Sequence, residues 1–246
     1  MFIDMHHHLI YGIDDGAQTF DGTRKMIEDA VNNQVSRIIT TPHITPGQLP
    51  FPYDGYRAHL EETRAYLAGR NIPLTLYTGS EVYYTPLTPD FLMDGKVPTL
   101  AGTQYVLIEF SPGDPFSYLV GALLRVASAG FIPVLAHAER YECIKKADQI
   151  RRLRGECNAL IQVNAQTVIR RHSFFRERYL RRILAEGLVD FISTDCHDMP
   201  GRRNHMWEAF GRLKADLGEE SARALTFQNA EKILLESREY KEEQSS

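Results

Sequence analysis

Cysteine is scarce, with only Cys143, Cys157 and Cys196 in 246 residues. So small, odd and scattered a set makes neither a disulfide framework nor a paired-thiolate zinc site, and it agrees with a reducing compartment. Long hydrophobic runs are missing too. No window approaches the roughly 18 uninterrupted apolar residues of a membrane-spanning helix, and Met1-Phe2-Ile3-Asp4-Met5-His6 lacks the basic and apolar regions of a secretory signal. The expected location is therefore the cytoplasm, without direct membrane insertion. Nor is positive charge in excess. Lys and Arg number 28 against 32 Asp and Glu, a net charge of −4, which removes the general attraction that nucleic acid exerts on a basic surface. Arg151, Arg152, Arg154, Arg170, Arg171, Arg181 and Arg182 do gather in one stretch, and such a cluster reads as a solvated helix face.

What is present is a chain with 43% hydrophobic residues, enough for one large domain. Short β-rich runs alternate with longer amphipathic stretches. A strand at Phe2–His6 is followed by a helical pattern from about Thr19 to Gln34. Further strands are expected near Arg37–Thr41, Leu74–Gly79, Tyr105–Glu109, Ile132–His137, Leu160–Asn164 and Val189–Asp195. Runs as apolar as Val106-Leu107-Ile108 and Pro133-Val134-Leu135-Ala136 imply a parallel sheet covered on both sides or closed into a barrel. Residues 42–55, with Pro46, Pro50, Pro52, Gly47 and Gly55, read as a long irregular loop of the kind that carries function. The polar residues 240–246 are expected to fray.

The chemistry lies where strands end. His6 and His8 share one face of a strand while His7 points away, but a lone histidine pair is more often packed core than ligand. Position changes that weighting. His43 follows Ile38–Thr41, Glu81 follows Leu76–Gly79, Glu109 ends Val106–Ile108, His137 ends Val134–Ala136, and Asp195 with His197 ends Phe191–Thr194. Strand C-termini converge on one rim of a barrel, which is where such enzymes build their sites. Asp15, in the loop Ile13-Asp14-Asp15-Gly16, adds a carboxylate near the same rim. Nine imidazole and carboxylate groups without a thiolate exceed the needs of one ion and suit Mn²⁺, Fe or Zn²⁺, so two or three divalent ions are expected. Arg140 and Arg202, close after His137 and His197, offer the forked donors that match phosphate oxygens, with surface pairs to Glu139 or Asp198 as the plainer alternative. Cys196 and Arg202 reproduce the Cys-x5-Arg spacing of cysteine-dependent phosphatases. Asp198 would repel a dianion there and Pro200 removes a backbone donor, so Cys196 is assigned to packing.

At these residues the sequence resembles the polymerase-and-histidinol-phosphatase (PHP) family, and more closely its bacterial branch of manganese-dependent protein-tyrosine phosphatases from capsule and exopolysaccharide operons, the CpsB/CapC type. The resemblance covers nearly the whole chain. It is carried by Asp4-Met5-His6-His7-His8 with Asp14-Asp15-Gly16, Thr41-Pro42-His43, Gly79-Ser80-Glu81-Val82-Tyr83-Tyr84, Leu107-Ile108-Glu109-Phe110, His137-Ala138-Glu139-Arg140-Tyr141, and Ser193-Thr194-Asp195-Cys196-His197 with Gly201-Arg202. It implies a distorted (β/α)7 TIM-like barrel over residues 1–239. By that pattern His6, His8, Glu81 and Asp195 hold a first ion, Glu81, Glu109 and His137 a second, and Asp15, His43 and His197 a third, manganese being the metal expected first. The implied reaction is hydrolysis of phosphotyrosine by a hydroxide bridging two ions, on the tyrosine-rich tail of an autokinase that regulates capsule or exopolysaccharide synthesis. His7, where relatives often carry a small polar residue, and the loop 45–55 depart from the pattern. Phe51 and Tyr53 in that loop are candidates for contact with the substrate ring. A histidinol-phosphate-type phosphatase, a metal-dependent nuclease, and a non-catalytic scaffold using Arg170–Arg182 as an interface are the competing readings. Oligomeric state is open, a homo-oligomer among the options.

Overall fold

The computed structural model describes residues 1–48, 50–197 and 202–243. Among them run the strands β1 (Phe2–His7), β2 (Val35–Thr40), β3 (His43–Ile44), β4 (Thr75–Tyr77), β5 (Glu81–Tyr83), β6 (Tyr105–Glu109), β7 (Ile132–Leu135), β8 (Leu160–Asn164) and β9 (Phe191–Ser193). The helices are α1 (Phe20–Asn32), α2 (Tyr53–Gly69), α3 (Thr88–Met93), α4 (Phe116–Ser128), α5 (Ala147–Cys157), α6 (Ala165–Ile169), α7 (Phe174–Ala185), α8 (Met206–Leu217), α9 (Glu219–Arg223), α10 (Asn229–Glu236) and α11 (Arg238–Glu243). No helix among the described residues is long and apolar enough to cross a membrane.

Every ladder is parallel. One sheet has the order β1-β2-β4 and the other β3-β5-β6-β7-β8-β9. They meet again where the chain's first and last strands lie side by side. There His7 pairs with Cys196, the Asp195 N–H donates to the His6 carbonyl at 2.9 Å, and the His8 N–H donates to the Cys196 carbonyl at 3.0 Å. The sheet is thus curled, with its first and last elements in contact.

Two of the expected strands are each followed, after a short break, by a further strand that the sequence reading did not include. The run after Arg37 stops at Thr40 and resumes at His43, because Pro42 has no N–H to give a ladder. The run after Leu74 stops at Tyr77 and resumes at Glu81. Gly79 lies in that second break, where a Cβ would come within 2.8 Å of Ile39 Cγ2 and 2.9 Å of the Thr40 carbonyl, so the chain can turn there only without a side chain. The irregular segment is also shorter than residues 42–55, since β3 occupies its start and α2 begins at Tyr53. At the other end of the chain, α11 runs through residues 240–243, which were expected to fray. Tyr240 packs beside Tyr77, with Arg37 over its ring. Residues 244–246 lie outside the described residues.

Alternation along the strands sorts the core into layers. Ile3, Met5, Ile39, Tyr77, Leu107, Val134 and Phe191 fill the inside of the curl, closed at one end by Ala230, Ile233 and Leu234 of α10. Phe2, Ile38, Val106, Ile108, Leu135, Ile161 and Val163 face outward into the larger core beneath the helices. Stepping by two from the inner set leads to Glu109 from Leu107, to Glu81 from Tyr77, to His43 from Ile39 and to Asp195 from Phe191. The site therefore sits on the inner face at the strands' C-terminal end.

In β1 this parity fails, because Ile3 and Met5 are odd while His6 and His8 are even. The register supplies the reason. Asp4 pairs with Ile38 and His7 with Thr40, so three steps on β1 oppose two on β2. This bulge inverts the alternation and brings His6 and His8 onto the inner face.

Candidate metal centre

Glu81 lies at the middle of the cluster, fully buried. Its Oε2 is 3.0 Å from His6 Nε2, 3.2 Å from His8 Nε2 and 3.2 Å from His43 Nδ1, and its Oε1 is 2.9 Å from His137 Nε2. Burial would raise this carboxyl's pKa, but the surrounding charge on His6 and the contacts from His137, His6 and His8 hold it well below the usual range. Asp195 Oδ1 is 3.5 Å from both His6 and His8 Nε2. Glu109 reaches His137 Nε2 at 3.3 Å and His43 Nδ1 at 3.6 Å. Asp15 Oδ1 is 3.2 Å from His197 Nε2 and 3.4 Å from His43 Nε2. The eight residues expected at the strand ends and Asp15 from the loop after β1 thus meet in one connected cluster.

Three sets of ligand atoms within it lie within 4.8 Å of one another: His6, His8, Glu81 and Asp195; His43, Glu81 and Glu109; and His8, Asp15, His43 and His197. The first set coincides with the ion that the resemblance assigns to those residues. The second has His43 where His137 was expected, and the third adds His8 to the expected Asp15, His43 and His197; His137 Nε2 lies 2.9 Å from Glu81 and 3.3 Å from Glu109.

The chemistry of the donors fits divalent cations. His6 Nε2 and His8 Nε2 face each other at 3.2 Å, an arrangement in which two N–H groups would clash. Glu81 Oε2, with three imidazole nitrogens around it, accepts no well-aligned hydrogen bond. Lone pairs that converge in a buried space are what a cation satisfies.

A second layer orients these groups. His8 Nδ1 lies 2.7 Å from Asp14 Oδ2, so its other nitrogen is the one presented inward. Asp14 also accepts from the His43 N–H at 3.0 Å and the Gly16 N–H at 2.9 Å. A Cβ on Gly16 would fall 2.2 Å from the His8 carbonyl, so this loop can lie on β1 only with glycine there. His197 Nδ1 faces the Asp195 carbonyl at 3.0 Å. Burial and the charge on His8 lower its pKa to about 4, which keeps it neutral. Gln162 Oε1 accepts from the His137 N–H at 2.6 Å and faces His6 Nδ1 at 3.3 Å. Gln162 then donates to Asn164, and Asn164 donates to Asp195 Oδ2, each at 2.9 Å. Asp14, Gln162 and Asn164 are functional positions the sequence reading missed. A signal existed, since Gln162 and Asn164 are two polar residues on one face of an otherwise apolar strand. His137 (φ 32°) and Asp195 (φ 52°) both adopt left-handed backbone, a conformation costing about 1–3 kcal/mol that clusters at functional sites.

Arg140 and Arg202 stand at the rim, and each donates through Nη2 to Asp195, Arg140 to Oδ2 at 2.5 Å and Arg202 to Oδ1 at 2.6 Å. Glu139, the plainer partner considered for Arg140, is instead held by Asn164 and Thr167. Asp198 lies outside the described residues. Cys196 is buried in the main core, and burial pushes its thiol well above the usual range, the opposite of an activated nucleophile. Phe51 and Tyr53 pack edge to face with ring centroids 4.9 Å apart and line a cavity of about 280 Å³ with Ile44, Phe91 and Lys96, beginning one residue beyond His43. Of the Arg170–Arg182 stretch, Arg170 and Arg171 precede α7, while Arg176, Arg178, Arg181 and Arg182 lie exposed along it, the last two pairing with Glu177 and Glu186.

A curled parallel sheet whose strand ends gather histidines and carboxylates able to hold divalent ions defines a class of metal-dependent α/β protein. Within it, residues 2–235 match the model of the capsular polysaccharide synthesis family CpsB/CapC, and the chain belongs to that family. It is 30% identical over 240 residues to the tyrosine-protein phosphatase CpsB of Streptococcus agalactiae, covering 94% of this chain and 98% of that protein. It is 27% identical over 232 residues to the tyrosine-protein phosphatase YwqE of Bacillus subtilis, covering 94% and 91%. A crystal structure from work on YwqE and the Streptococcus pneumoniae CpsB, described as unique metal-dependent tyrosine phosphatases, superposes with a TM-score of 0.83 at 27% identity over 96% of this chain and 95% of that one. The Lactococcus lactis histidinol phosphate phosphatase shares the fold alone, with a TM-score of 0.58 at 14% identity over 93% and 97%.

Proposed function

We propose that this chain is a metal-dependent protein-tyrosine phosphatase that hydrolyses phosphotyrosine on a protein substrate. The observation that carries the reading is the cluster in which Glu81 faces His6, His8, His43 and His137 while Arg140 and Arg202 meet at Asp195. Its relatives of similar length are tyrosine phosphatases. His6, His8, Glu81 and Asp195 would hold one ion, Glu81, Glu109 and His137 a second, and Asp15, His43 and His197 a third. Such ions supply charge that stabilises phosphoryl oxygens and a lowered pKa for water at the site.

The chain's own residues do the rest. Arg140 and Arg202 bind the non-reacting phosphate oxygens with forked donors and hold phosphorus over the cluster. Asp14 and Gln162 keep His8 and His6 in the required tautomers, and Asn164 holds the Asp195 carboxylate. Phenolate, with a conjugate-acid pKa of about 10, leaves without strong acid assistance, so no side chain need act as a general acid. Phe51 and Tyr53 contact the substrate ring. Manganese is the metal assigned, the cytoplasm the compartment, and a tyrosine autokinase of capsule or exopolysaccharide synthesis the substrate. Counting β2 with β3 and β4 with β5 as interrupted strands, the sheet amounts to seven units of one distorted (β/α)7 barrel domain.

Metal content and turnover on a phosphotyrosine peptide, the matching phosphoserine peptide and histidinol phosphate test the reading together. Preference for phosphotyrosine, lost on chelation and restored by Mn²⁺, is expected. Full turnover after exhaustive chelation, or equal rates on phosphoserine, would overturn it.

A further inference from the structure

We propose that a cavity beside the metal centre is the subsite for the polypeptide flanking the phosphotyrosine, with Tyr179 and Glu139 pairing to its main-chain amide. The proposal rests on the phosphatase reading and adds where the protein part of the substrate lies. The cavity measures about 350 Å³, within the roughly 300–1,000 Å³ of ligand sites. Arg140 belongs to both places, lining the cavity and donating to Asp195 in the centre. A phosphate gripped by Arg140 therefore brings the residues next to phosphotyrosine to the cavity mouth.

Two polar atoms in the wall are shielded from solvent and have no hydrogen-bond partner among the described residues: Tyr179 Oη and Glu139 Oε2. Buried polar groups are normally paired, so both await a partner. Glu139 is fixed, since its Oε1 accepts from the Asn164 N–H at 3.1 Å and from Thr167 Oγ1 at 2.9 Å, leaving Oε2 as an acceptor. Tyr179 remains a donor, because burial and the Glu139 carboxylate raise its pKa above that of an ordinary phenol. An acceptor and a donor in one wall match a group that offers both N–H and C=O, which is the peptide amide. Beside them Phe175 is 82% exposed and in edge contact with Phe174, which is 74% exposed. Apolar surface of that kind at a cavity rim is surface that a bound side chain covers. The lining carries Arg140, Lys145 and Arg176 against Glu139 and Glu142, so acidic flanking residues suit it better than basic ones.

The test measures kcat/KM and bound metal for the wild type, Tyr179→Phe and Phe175→Ala on three substrates: a phosphotyrosine peptide with acidic flanks, the same peptide with lysine flanks, and p-nitrophenyl phosphate. Each variant is expected to lose roughly five- to tenfold on the acidic peptide, mostly in KM, and to stay within about twofold on the aryl phosphate, with metal unchanged. The wild type should favour acidic over lysine flanks. Peptide kinetics unchanged by Tyr179→Phe, as when its partner is only water, would overturn the subsite. So would equal losses on peptide and aryl phosphate in the Phe175 variant, whose exposed ring the fold does not need, or indifference to flanking charge. Turnover by the metal-loaded wild type on neither peptide nor aryl phosphate would overturn the phosphatase reading itself, and the subsite with it.

Discussion

Glu81 is the residue on which most of the centre's contacts converge, and its charge is what four imidazoles share. Glu81→Gln keeps the volume and removes that charge, so metal content should fall and turnover drop by about 100-fold or more, the scale of several kcal/mol of lost charge stabilisation. Elemental analysis and steady-state rates check this, and a fully active variant would contradict it. Arg140→Ala and Arg202→Ala should each lower kcat/KM by about 1.5–3 kcal/mol, roughly 10- to 150-fold, with metal retained. Cys196→Ser should remain active, since the thiol lies in the core with a raised pKa.

The histidines also predict a proton balance. Burial alone would lower the pKa of His8 and His137. Asp14 and Glu81 instead bring His8 up to about 10, and Glu109 and Glu81 bring His137 up to about 9. At neutral pH both imidazoles are protonated without metal, and a cation must displace those protons. Metal uptake should therefore release protons, and affinity should climb as pH rises from about 6 to 9. Calorimetry in two buffers of different ionisation enthalpy measures the release; proton-neutral uptake would count against this balance.

Elements decide whether these residues can meet at all. His6 and His8 reach the inner face only because a bulge inverts the alternation of β1. The loop carrying Asp14 and Asp15 reaches them only because residue 16 lacks a Cβ. Gly16→Ala should cost about 1–3 kcal/mol through the forced backbone shift and weaken metal binding at the Asp15 side of the cluster. Gly121→Ala is the control: it lies on the exposed face of α4 with nothing within 4 Å of its Cβ, and should stabilise by about 0.5–1 kcal/mol. Denaturant melts and metal titrations of both variants separate the two effects.

This scale also shows what could be read in advance. His43, Glu109, His137 and Asp195 were legible because a polar residue closing an apolar strand stands out against its neighbours. β3 and β5 were not, since each is only two or three residues long and begins just after the strand before it stops, so alternation gives no separate signal for it. The bulge left no trace for the same reason, since a register is a property of two strands. Asp14 was passed over for its neighbour Asp15, because a residue that orients a ligand is chemically indistinguishable from the ligand beside it until distances are known.

For the molecule as a whole, the centre joins segments nearly two hundred residues apart, from His6 to His197, so its ions should act as a stabilising ligand of the folded state only. At free metal about 100-fold above Kd this contributes about 2.7 kcal/mol, or roughly 5–10 °C in Tm for a chain of this size. Differential scanning calorimetry with and without chelator measures it, and an unchanged Tm would argue that the cluster binds no ion tightly. The contact between β1 and β9 has a further consequence, one that concerns biosynthesis. His6 and His8 leave the ribosome well before Asp195, which shares an ion with them in our assignment and follows nearly two hundred residues later. A nascent chain halted before β9 carries most of the ligands but no closed centre. Metal capture must then await synthesis of β9, and chains ended before it should neither retain the ion nor turn over substrate.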